Sequence, residues 1–150
     1  MRLRRYPRVE STEGTTFMAC VLVIEDNKDN RELMVYLLKY FGHRTLVAPD
    51  GEAGIDTVAH GEDRPDLIVC DIHMPKMDGY EVAKQLKGHP EHREIPLIAV
   101  TSSAMVGDGQ RILCHGFDGY MTKPIDPATF VQQLEEFMSK DIETPAGDRT

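Results

Sequence analysis

Short apolar runs recur along this chain, and each stops abruptly at polar or charged residues. Cys20-Val21-Leu22-Val23-Ile24 stops at Glu25-Asp26-Asn27, and Leu67-Ile68-Val69-Cys70 stops at Asp71. Ile95 to Val100 is almost uninterrupted and stops at Thr101-Ser102-Ser103. Apolar runs this short, bounded by turn chemistry, read as strands buried on both faces. Arg44 to Ala48 and Phe117 to Met121 are weaker strands, the latter ending at Thr122-Lys123-Pro124.

The segments between them have the helical period. From Lys28 to Phe41, Leu33, Leu37, Leu38 and Phe41 share a face, and Gly42 stops the helix. Asp50 can cap a second helix that runs through Ala59 and closes at Gly61. Tyr80 to Leu86 turns Val82, Ala83 and Leu86 inward and ends at His89-Pro90. Met105 to His115 is weaker because Gly107 and Gly109 each cost about 1 kcal/mol against Ala in a helix interior. The last helix is expected from Pro127 to Met138, with Pro in its first turn and Phe130, Val131, Leu134, Phe137 and Met138 inside. Five strands alternating with five helices predict an α/β fold, a doubly wound five-stranded parallel sheet with right-handed crossovers.

Composition narrows the function. The chain has 150 residues, 41% hydrophobic and 28% charged, enough for one domain with a real core. A net charge of -8 argues against non-specific nucleic-acid binding, which needs a basic footprint. No run is long enough to span a membrane, and the basic start Met1-Arg2-Leu3-Arg4-Arg5 lacks the apolar segment of a signal peptide. The chain therefore reads as cytoplasmic. Cys20, Cys70 and Cys114 lack metal-ligand spacing and read as reduced thiols. Residues 1–17 show no apolar periodicity and are expected to be a disordered arm, with a basic docking arm as the alternative and Met18 as a candidate natural start.

Ligands of an open parallel sheet bind beyond the carboxyl ends of its strands. Glu25-Asp26, Asp71, Thr101 and Lys123 stand at four such ends, so three carboxylates, a hydroxyl and an amine are expected on one edge. Taken alone, Asp71 reads equally as a turn residue, Lys123 as a solvated lysine and Tyr120 as a half-buried strand aromatic. Carboxylates that close repel one another, and a hard cation such as Mg²⁺ is the usual remedy. A carboxylate there can serve as nucleophile toward phosphorus, with Mg²⁺ and Lys123 meeting the phosphoryl charge. A glycine-rich first turn is missing, which argues against a dinucleotide site.

These pieces in this order resemble the receiver domain of bacterial response regulators, the CheY-like fold. The motifs are Val23-Ile24-Glu25-Asp26-Asn27, Cys70-Asp71-Ile72-His73-Met74-Pro75-Lys76-Met77-Asp78-Gly79-Tyr80, Val100-Thr101 and Gly116 through Asp126. The resemblance implies a flavodoxin-like sheet of order 2-1-3-4-5 over residues 18–140, with 141–150 a flexible tail. It implies that Asp71 is the phosphoacceptor, fed by a sensor histidine kinase or histidine phosphotransfer protein. Asp26, Asp71 and the His73 backbone carbonyl would ligate Mg²⁺, with Glu25 acting mostly through water. The His73 ring is expected to be structural or solvent-facing. Lys123 would hold the phosphoryl group beside a cis Lys123-Pro124 bond. Pro75 and Gly79 would shape the adjoining loop. Thr101 and Tyr120 would move on phosphorylation and alter the face of fourth helix, fifth strand and fifth helix, where a downstream protein docks. Gly107 and Gly109 loosen the fourth helix of that face.

The expected function is a stand-alone switch that signals through protein contacts, without direct contact to nucleic acid or membrane and without an external substrate. A fragment of a hybrid kinase is the alternative arrangement. An aspartyl-phosphate phosphatase of the haloacid-dehalogenase kind is an alternative chemistry. It would place Asp-x-Asp at the end of the first strand, where this chain has Glu25-Asp26-Asn27. A receiver scaffold that is never phosphorylated is the third reading.

Overall fold

The computed structural model describes residues 8–11, 14–102 and 105–143. Its elements in chain order are β1 (Arg8–Ser11), β2 (Gly14–Phe17), β3 (Cys20–Ile24), α1 (Lys28–Tyr40), β4 (Arg44–Ala48), α2 (Gly51–His60) and β5 (Leu67–Asp71). They continue with α3 (Gly79–Lys87), β6 (Leu97–Thr101), α4 (Asp108–Cys114), β7 (Gly119–Thr122) and α5 (Phe130–Glu143). The main sheet is parallel in the order β4-β3-β5-β6-β7. Counting only its own strands, this is the order 2-1-3-4-5.

Strand periodicity divides the core into two halves. Val21 and Val23 of β3, Leu67 and Val69 of β5, and Ile98 and Val100 of β6 pack toward Met34, Leu38, Phe130 and Leu134 of α1 and α5. The alternate residues Leu22, Ile24, Ile68, Cys70, Leu97 and Ala99 pack toward Val82, Leu86 and Ile112 of α3 and α4. Both faces of the central strands are covered, which explains their unbroken apolar sequence. Each large apolar side chain among them contributes about 1.5–3 kcal/mol of burial.

Three helices begin with the side-chain caps that the sequence supplies. Asn27 Oδ1 accepts from Asn30 N–H, Asp50 Oδ1 from Ala53 N–H and Asp78 Oδ1 from Glu81 N–H. α1 is followed by Gly42 at φ 90°, a left-handed turn. α4 has no side-chain cap: Gly107, at φ 92°, stands at its N-cap.

The structure corrects several expectations. The expected disordered arm contains paired strands at 8–11 and 14–17, an antiparallel register running from Arg8↔Phe17 to Ser11↔Gly14. Val9, Thr15, Thr16 and Phe17 carry strand propensity. Lacking apolar alternation, the segment gave no periodic signal. β6 starts at Leu97 rather than Ile95 because Pro96 has no N–H for the ladder. α4 spans Asp108–Cys114, shorter than Met105–His115, as its glycines and missing cap dictate. α5 starts at Phe130: Pro127 lies in the preceding turn, where Asp126 C=O accepts from Thr129 N–H and Phe130 N–H. The helix then continues through Glu143, beyond the expected end at Met138. The rest of the expected arm and tail, 1–7, 12–13 and 144–150, lies outside the described residues, as does Ser103.

Candidate phosphoacceptor and cation site

Parallel pairing fixes the site's depth. The register Ile24↔Cys70, Asp71↔Val100 and Thr101↔Thr122 brings the ends of β3, β5, β6 and β7 to one edge. Asp71 closes β5 with its residue only 4% exposed. Lys123 follows β7, its N–H donating to Thr101 C=O at 2.8 Å. Its ammonium lies 3.3 Å from Asp71 Oδ2 and 2.9 Å from Glu25 Oε1.

Glu25 is fully buried. Its Oε2 accepts from Asn27 N–H at 3.1 Å, while Oε1 has no aligned hydrogen bond and faces Lys123 as a charge partner. Arg31 donates to the Glu25 carbonyl at 2.8 Å and braces the turn. Asp26 is exposed at the rim. One carboxylate oxygen from each of Glu25, Asp26 and Asp71 falls within a mutual 4.8 Å. Thr101 is buried at the end of β6.

Three carboxylates face one nearby ammonium, and the charge does not balance. Burial, then the Glu25 charge, pushes the Asp71 carboxyl up to about 7 against the opposing pull of Lys123; contacts with the Glu25 and Asp26 carboxyls push it further. Burial pulls Lys123 down, but its close contact with the Glu25 carboxylate and the charges of Asp71 and Glu25 outweigh this, and the net shift is upward. Converging hard oxygen donors with excess negative charge fit a hard divalent cation. Glu25, Asp26 and Asp71 could each offer it one carboxylate oxygen. Glu25 also meets Asn27 and Lys123.

The loop after Asp71 is set by close approaches. His73 N–H donates to Asp71 Oδ1 at 3.3 Å, while the His73 side chain is exposed. Gly79 N–H donates to Ile72 C=O at 2.8 Å. A Cβ on Gly79 would stand 2.6 Å from the Asp71 carbonyl oxygen and 2.7 Å from Ile72 Cα, so only glycine fits. Pro75 C=O accepts from Met77 N–H, with Lys76 between them at φ 68°. The Lys123–Pro124 bond is cis. Tyr120 stands away from this cluster, 43% exposed on β7 and pointing its ring end at α4.

Sequence reasoning missed Arg31 and the double role of Asn27, which caps α1 with its side chain and anchors Glu25 with its N–H. The only signal was position: Asn27 immediately follows Glu25-Asp26, and Arg31 lies one helical turn beyond it.

An acid-lined edge of this kind on this sheet defines the response regulator receiver domains, and the chain belongs to that family: the family's profile matches residues 21–135. It is a phosphorylation-controlled switch of two-component signalling, whose partners are histidine kinases or phosphotransfer proteins. Among its relatives, the polar-differentiation response regulator DivK of Brucella anthropi is 39% identical over 118 residues, covering 79% of this chain and 94% of that one. Among solved structures, the chemotaxis response regulator CheY4 of Vibrio cholerae superposes with a TM-score of 0.74 at 26% identity, covering 79% of this chain and 98% of that one. The Mn(2+)-bound form of response regulator Rcp1 superposes with a TM-score of 0.68 at 26% identity, covering 85% and 97%. Among the described residues, no helix is long and apolar enough to cross a membrane.

Proposed function

We propose that Asp71 is the phosphoacceptor, that Asp26 and Asp71 with the His73 carbonyl hold Mg²⁺, and that Lys123 binds the phosphoryl group. The observation that carries this reading is the Lys123 ammonium, held between Asp71 and the buried Glu25 at the mouth of the acidic edge. An Asp71 carboxylate oxygen attacks the phosphorus of a phosphohistidine. An O–P bond forms as the N–P bond breaks, and the electron pair returns to the imidazole nitrogen, which takes a proton. Lys123 then moves its charge from the carboxylates to the incoming phosphoryl oxygens, and Thr101 donates its hydroxyl to one of them. The bound cation supplies the remaining positive charge and relieves the carboxylate repulsion. That a relative of similar fold is described as Mn(2+)-bound supports a divalent site. Water later attacks the phosphorus, the acyl O–P bond breaks with its electron pair returning to the Asp71 carboxylate, and inorganic phosphate leaves. The chain acts only on its own acyl phosphate, in the cytoplasm, and has no external substrate.

Output leaves through the face of α4, β7 and α5. Support comes from Tyr120 and Leu113 exposed on β7 and α4, Met105 and Val106 exposed just before α4, and a groove of about 490 Å³ beside Tyr120 lined by Ile125, Gln133 and Phe137. A downstream protein with a complementary apolar surface suits that face. The test is incubation with acetyl phosphate followed by a phosphate-affinity gel. A retarded band that requires Mg²⁺ and disappears in Asp71→Asn is expected. If neither a band nor Mg²⁺-dependent beryllofluoride binding is seen, the proposal is wrong.

A further inference from the structure

The fourth helix carries a glycine that its own backbone does not need. Gly109 sits in the first turn of α4, and no positive φ is recorded for it, unlike Gly107 at its N-cap. Alanine there would gain about 1 kcal/mol of helix propensity. The reason for glycine lies across the groove. A Cβ at residue 109 would overlap Tyr120 Oη and stand 2.7 Å from Cζ and 2.9 Å from Cε1 of the ring. The end of the Tyr120 side chain therefore rests against helix backbone in the space a side chain would fill. Tyr120 is also 43% exposed, so its ring has solvent on one side and α4 on the other.

We infer that Gly109 is a positioning residue for Tyr120, the seat that keeps the ring outward while Asp71 is unphosphorylated. The inference rests on the reading of Tyr120 as the residue that couples Asp71 to the output face. Two ring positions in equilibrium respond to anything that distinguishes them. A Cβ at 109 penalises only the outward position. The yielding group is the end of an exposed side chain, whereas the opposing atom is fixed to the helix. Residue 109 thus sets the resting balance of the switch without touching the phosphoryl site. By linkage, whatever disfavours the outward ring strengthens binding of a ligand that favours the inward one.

The full-length chain with Mg²⁺ and beryllofluoride, a phosphoryl mimic, tests this. Gly109→Ala is expected to bind beryllofluoride about three- to tenfold more tightly than wild type. The gain should vanish when Gly109→Ala is compared in a Tyr120→Ala background, where no ring remains to displace. In protein labelled with 3-fluorotyrosine, the ¹⁹F resonance lost in Tyr120→Phe identifies residue 120. Gly109→Ala should move that resonance in the direction that beryllofluoride moves it in wild type. Equal affinities, a gain that survives in Tyr120→Ala, or an unmoved resonance would each overturn the inference. If Gly109→Ala folds only when combined with Tyr120→Ala, the contact is established, and an unresponsive wild-type ¹⁹F resonance would then still refute its role in switching. Failure of wild type to bind beryllofluoride would instead defeat the phosphoacceptor reading itself.

Discussion

Replacing Asp71 by the nearly isosteric asparagine should stabilise the metal-free protein. Folding places this carboxylate beside Glu25 and Asp26, and its pKa rises from 3.8 to about 7, first from burial and then from the Glu25 charge. The charged form is thus penalised in the folded state. At about 1.4 kcal/mol per unit, the shift sets a ceiling of about 4 kcal/mol. The cleft mouth is open to water and salt, and we halve this to about 2 kcal/mol for screening. The Asp71→Asn change removes the charge while Lys123 keeps Glu25 at 2.9 Å, so no cation is orphaned. For a domain of this size the gain corresponds to a Tm higher by about 6–12 °C. Because the folded pKa is raised, the penalty is absent below the unfolded value of about 4, grows between about 4 and 7, and is complete above that. Metal-free wild type should therefore become more stable as pH falls from about 7.5 to 5, and Asp71→Asn should lack that part of the slope. Thermal melts of both proteins in chelator, repeated with Mg²⁺, are the assay. Mg²⁺ should raise the wild-type Tm more than that of the variant. A variant that melts at or below wild type in chelator would refute the reasoning.

Lys123→Met leaves Glu25 buried without its charge partner, so denaturant melts without metal should show a loss of about 3 kcal/mol, and phosphoryl uptake from acetyl phosphate should fall sharply. Gly79→Ala forces a Cβ onto the Asp71 carbonyl and Ile72 Cα, and a loss of about 1–3 kcal/mol in the same melts, with slower phosphorylation, is expected. At the opposite edge of the sheet, buried His43 accepts from Ala19 N–H at its Nδ1 and meets Glu135 at 2.8 Å through Nε2, tying the start of β3 and the turn after α1 to α5. His43→Ala should cost about 2–3 kcal/mol in urea unfolding and leave Mg²⁺ binding unchanged.

The sheet was legible because its strands are covered on both faces. Val21 to Ile24, Leu67 to Cys70 and Leu97 to Val100 cannot alternate with polar residues, and continuous apolar runs are what a parallel interior requires. The start of the second helix at Asp50 was legible for a different reason, since a capping oxygen leaves a local signature, while the same caps at Asn27 and Asp78 were not read. What pairs without an apolar period in its sequence was not legible. The strands at 8–11 and 14–17 form a two-stranded sheet apart from the main one, so no hydrophobic period marks them. The bounds of α4 and α5 shifted where glycine or proline left the first turn weakly specified.

At the site, the acidic edge and Lys123 could be placed from strand ends alone, because parallel register brings those ends together. Distances, and the commitment of Glu25 to Asn27 and Lys123, could not, since they depend on side-chain reach in three dimensions. The sequence showed Gly109 as a local defect in a helix. Its contact with Tyr120 is non-local, and only the folded chain supplies a reason for it.

The most direct test of the central claim is to locate the phosphoryl group chemically. The protein is phosphorylated by a histidine kinase or phosphotransfer protein carrying phosphohistidine, in Mg²⁺, and then treated with borohydride, which reduces an acyl phosphate to an alcohol. Peptide mass mapping should find homoserine at position 71 and aspartate retained at Asp26 and Asp78. Reduction at another carboxylate, or phosphoryl incorporation that persists in Asp71→Asn, would contradict the account.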